Sequence, residues 1–118
     1  MRRDAIVYLE DIRLAACDVA QFAKRVGEGY HLDENLLVRL AVERQLITAG
    51  EAVSQLAKFF PEVVENIPDW RQIISFRNIL VHGYRAIDHD LVFAVIHDRV
   101  PVLLAAVEAL IAEFEDRT

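Results

Sequence analysis

Apolar residues recur along the chain at steps of three and four. Ala5, Leu9, Ile12, Ala16, Val19, Ala23 and Val26 form one such row, with Arg13, Asp18, Lys24 and Arg25 off it. Such spacing predicts an amphipathic helix over about residues 4 to 27, with Asp4 placed to cap it and Gly27 or Gly29 to stop it. After a short link, Asp33 or Asn35 can cap a second helix. Its apolar residues include Leu36, Leu37, Leu40, Ala41, Ile47, Ala52, Leu56 and Phe59, and Pro61 ends it. A separate row of the same helix is polar: Arg44, Thr48, Glu51 and Gln55. Two readings of that row stay open, a solvated face with internal ion pairs or a polar seam facing a partner helix or a site.

Between Pro61 and Pro68 the pattern breaks, with room for one helical turn at Glu62 to Asn66. Helical spacing resumes from Asp69 through Trp70, Ile73, Phe76 or Arg77, and Leu80. Gly83 is the natural end, because a residue just past a helix often needs positive φ. Asp88 can cap a further short helix through Leu91, Val92, Val95 and Ile96. Pro101 opens or kinks the last one, whose apolar face is Val102, Leu103, Val107, Leu110, Ile111 and Phe114. No segment has useful strand periodicity. The prediction is an all-α protein, an antiparallel bundle of four to five helices in a single domain over residues 1–118.

Composition agrees and narrows the function. Hydrophobic residues make up 54% of the 118 and charged residues 27%, with 4 Gly and 3 Pro, so neither disorder nor a loop-rich sandwich is expected. No apolar run reaches bilayer length and no signal-peptide pattern follows Met1, so a cytoplasmic protein without a membrane partner is expected. Cys17 is the only cysteine and reads as inert packing. A net charge of −6 argues against a surface that grips nucleic acid throughout, and any such contact must be local.

The run RNILVHGY, Arg77 to Tyr84, carries the chemistry. Arg77 and His82 lie five apart, about 140° around an ideal helix, so they share no face unless the chain turns near His82. Arginine offers a planar fork to phosphate oxygens and histidine titrates near neutral pH, a combination suited to phosphodiester cleavage. RNA supplies its own nucleophile, the 2′-hydroxyl. Cleavage then needs a base and an acid, yet the motif holds one histidine, so a two-fold dimer would complete the pair. Arg85, beyond the turn, is a candidate phosphate contact.

Other groups have blander readings. His89 and His97, with Asp88, Asp90 and Asp98, lack a ligand on another helix, so no metal is expected. Trp70, Phe76 and Phe93 could stack on bases but are at core spacing. His31 sits in a link and has no role.

The motif, with AVERQLITAGEAV, PDWRQIISFRN and IDHDLVFAVIHDRVPVLLAAVEAL around it, resembles the HEPN-domain proteins of the HepT type (DUF86) over nearly the whole length. The resemblance implies a homodimeric, metal-independent endoribonuclease, the toxin of a toxin–antitoxin pair of type II or type VII-like organisation, with no cofactor. Arg77 and His82 would be its catalytic pair and Asn78 a supporting polar residue. Tyr84 would be the tyrosine to which a nucleotidyltransferase antitoxin of the MntA type transfers AMP; from position alone, Tyr84 could equally pack back on the preceding turn. The competing reading is a non-catalytic module that binds a nucleotidyltransferase and a nucleotide, the partner being the toxic component.

Overall fold

The computed structural model describes residues 2–83 and 87–116, and among these there is no strand. Helix α1 spans Arg2–Val26, α2 Leu36–Phe59, α3 Pro61–Val64, α4 Trp70–His82, α5 His89–Asp98 and α6 Val100–Asp116. Five of these are helices of ten residues or more and α3 is a single turn, so the predicted all-α bundle stands. Helices α1 and α2 form the principal hairpin. Along α1, α5 and α6 run as one helix broken at Arg99, and α4 packs on α2.

The predicted stripe of α1 is the buried one. Ala5, Leu9, Ile12, Ala16, Val19 and Ala23 are all buried, because α2 covers one side of that row and α5–α6 the other. Gly27, with φ +51, ends the helix as expected; Asp4 does not cap it, since α1 begins at Arg2 and takes Asp4 into its first turn. The start of α2 also differs from expectation. A short 3-10 turn, Asp33–Asn35, leads in, and the Asn35 amide donates to the Gly29 carbonyl at 2.7 Å instead of capping α2. Leu36, Leu37 and Leu40 lie exposed, Leu37 at 82%, because α1 and α4 cover other faces of α2.

Buried side chains sort into two clusters. One, at the α1 N-terminal end, gathers Leu9, Ile12, Val53, Leu56, Val63, Ile67, Val107 and Phe114 with their neighbours. The other, at the opposite end, gathers Val19, Tyr30, Val42, Leu46, Leu80, Val92 and Ile96. Between them Gln45 donates to Asp18 at 2.7 Å and ties α2 to α1. Asp88 caps α5 as predicted, its carboxylate accepting from the Asp90 and Leu91 amides at 3.0 and 3.2 Å. Pro101 sits in the first turn of α6, where its missing N–H is not needed. No described helix is long and apolar enough to cross a membrane.

Candidate functional site

Helix α4 carries the motif, and α2 sets its position. At Gly50 a β-carbon would overlap Arg77 Cβ and come within 2.7 Å of Arg77 Cγ. Only glycine lets the two helices approach there. The Arg77 side chain emerging from this notch is 18% exposed, and its Nη1 donates to Glu51 at 3.1 Å. Arg77 Nε is buried with no partner. One arm of the fork is thus committed to Glu51. Glu51 itself is half exposed. Of the polar row on α2, Glu51 meets α4 through Arg77, whereas Arg44 is exposed and the Thr48 hydroxyl bonds back to its own helix, so neither reading holds for the whole row.

Arg77 pairs with Glu51, and His82 is not its partner. His82 is the last residue of α4 and is exposed, and Asn78, next to Arg77, is exposed as well. A cation is favoured at this helix end, where four carbonyls lack intrahelical partners. Gly83 ends the helix, but not through positive φ: its φ is −102, an angle open to any residue. The requirement is space. Its N–H donates to the Ile79 carbonyl at 2.7 Å, and a β-carbon would stand 2.8 Å from that oxygen. Tyr84 and Arg85 lie outside the described residues.

Beyond the motif, at the end of the bundle where α4 stops, is a set of buried polar groups of which the sequence singled out His89 alone, and that as a metal candidate. Arg39, 6% exposed, donates from Nη1 to the carbonyls of Tyr30 at 2.9 Å and Leu32 at 2.6 Å, pinning the α1–α2 link. Burial raises the Tyr30 phenol above its usual range, with the Glu43 charge adding to it. Burial also raises the Glu43 carboxyl, against the opposing charges of His89 and Arg39. Tyr30 Oη, Arg39 Nε and His89 Nδ1 are buried without partners. A signal was present: an arginine in the first turns of a helix, with glutamate one turn on, is unusual on a buried face.

Trp70, Phe76 and Phe93 are half-buried against the two cores, with the Arg71 guanidinium 4.2 Å over the Trp70 ring. His97 packs edge-on against Phe93 and His89 against Tyr30, and no metal-binding group of three or more ligands exists among the described residues. On its other flank α4 borders an apolar groove of about 290 Å³, lined by Ile73, Phe76 and Ile79 facing Val95, Val100 and Leu103.

The arrangement is a helical bundle in which α4, packed on the α1–α2 hairpin, carries Arg77 and His82. The model of the Ribonuclease HepT-like family matches residues 12–110, and the chain belongs to that family. It is 35% identical over 107 residues to the protein named Putative RNase MJ1380 of Methanocaldococcus jannaschii, covering 91% of this chain and 96% of that one. It is 29% identical over 111 residues to the Probable ribonuclease HepT of Thermococcus cleftensis, covering 93% and 98%. A second Methanocaldococcus jannaschii protein, Putative RNase MJ0125, is 27% identical over 116 residues, 98% of each chain. No solved structure matches the chain.

Proposed function

We propose that this protein is an endoribonuclease that cleaves RNA through its own 2′-hydroxyl, with Arg77 and His82 as the reacting groups and no metal required. The observation that carries this reading is the Arg77 guanidinium, fixed by the Gly50 notch and by Glu51, one turn and a half before an exposed His82. A base removes the 2′-hydroxyl proton, the oxygen attacks phosphorus, and an acid protonates the departing 5′-oxygen. Arg77 meets the charge growing on the phosphoryl oxygens. Asn78, exposed beside Arg77, orients the phosphate.

Acid and base are the two His82 side chains of a homodimer. Two observations favour pairing: Arg77 and His82 leave α4 about 140° apart, and Ile79 and Val81 are exposed on α4 between them. A further reading, resting on the resemblance of the motif alone, is that the chain is a toxin neutralised by a nucleotidyltransferase antitoxin, through AMP transfer to Tyr84, binding, or both. Purified His82→Ala protein should keep the helical signal and the oligomeric state of the wild type while losing both RNA cleavage and growth arrest. Cleavage retained by that variant would overturn the assignment.

A further inference from the structure

Resting on that reading, we propose that Arg44 is a second phosphate-binding residue of the same site, holding an internucleotide phosphate further along the strand from the scissile one. The inference comes from the register of α2 against α4. Gly50 faces Arg77, and Leu46 shares a buried cluster with Leu80, so the two helices run antiparallel and each step back along α2 matches a step forward along α4. Arg44 lies two turns back from Glu51, which returns it to the same face of α2 and displaces it about 10 Å along the axis. Continuing the register past Leu80 puts Arg44 at the level of His82, the end of the motif.

Its surroundings fit a phosphate contact. Of the arginines on α2 and α4, Arg77 meets Glu51, Arg71 meets Glu65, and Arg39 is bound to carbonyls. Arg44 is exposed, and its guanidinium has no ion pair or hydrogen bond among the described residues. No acidic residue stands three or four positions from it on the helix. The Thr48 hydroxyl between Arg44 and Glu51 is turned onto the Arg44 carbonyl at 3.1 Å and does not compete for a ligand. In a chain of net charge −6, an exposed cation on the same row of α2 as Glu51, the partner of Arg77, is where local attraction for an RNA strand can be supplied. The displacement of about 10 Å corresponds to roughly three stacked nucleotides at about 3.4 Å each. Arg77 would hold the reacting phosphate and Arg44 one roughly three nucleotides along the same strand.

The test compares wild type, Arg44→Gln and Arg44→Lys. Cleavage of a single-stranded RNA oligonucleotide gives kcat and KM; binding of the matching 2′-deoxy oligonucleotide, which cannot be cut by this route, is measured across salt concentrations. Arg44→Gln should raise KM about tenfold, leave kcat within about twofold, and shrink the slope of log K against log salt by about 0.7, one phosphate contact on a single strand. Arg44→Lys should keep the wild-type slope. An Arg44→Gln protein with unchanged KM and slope, or a loss that lysine does not restore, overturns the role of Arg44 alone. A wild-type chain that neither cuts nor binds overturns the nuclease reading beneath it.

Discussion

The two ends of the bundle are built on different terms. Around Leu9, Leu56 and Phe114 the core is wholly apolar, and none of the described buried polar atoms lacking a partner lies there. Every such atom belongs to the motif helix or to the other end: Arg77 Nε, Arg39 Nε, Tyr30 Oη and His89 Nδ1. Each unpaired buried group costs about 1–3 kcal/mol. One end holds the fold while the end near the motif carries polarity that stability alone would not select, as expected where function constrains the sequence.

The contrast can be broken from either side. Leu56→Ala, deep in the apolar end, should destabilise the protein by about 2–5 kcal/mol, read from urea unfolding, while the folded fraction keeps its RNA cleavage. Gly50→Ala should cost less, about 1–3 kcal/mol from overpacking, yet reduce cleavage by at least about tenfold, because the new methyl group displaces Arg77. If Leu56→Ala abolished activity in folded protein and Gly50→Ala spared it, the division between the ends would be wrong.

The smallest effect belongs to Glu43. Burial raises its folded-state pKa above the unfolded one, so its contribution to stability is full below the unfolded pKa and declines as pH rises through the raised folded value. Glu43→Gln removes that decline. Its melting temperature, measured against wild type, should shift upward as pH goes from about 4 to about 7; a constant difference would show that burial is not what governs this carboxyl.

The sequence showed the helices well because their apolar rows are regular: the α1 stripe, the Asp88 cap and the Pro101 entry could all be read from spacing. The site was legible as a motif and hidden as a geometry. Gly50 carries no signal in the spacing of α2, since only the approach of Arg77, 27 residues away, gives it a purpose. Gly83 was expected for its backbone freedom, whereas what requires it is the Ile79 carbonyl. Leu36, Leu37 and Leu40 fitted an apolar row on α2, but periodicity does not say how many faces of a helix have neighbours.

Arg99, at the break between α5 and α6, donates to Asp69 at 2.6 Å, just before α4 begins. That contact closes residues 69–99 into a loop, and the loop contains the whole motif. Its neck is an exposed ion pair, worth little on its own and weakened by added electrolyte. Ionic strength therefore acts on this protein twice, once on the strand it would hold and once on the tie at the base of the segment that holds it. Variants compared at matched salt share the second effect, which leaves the first to be read from their difference.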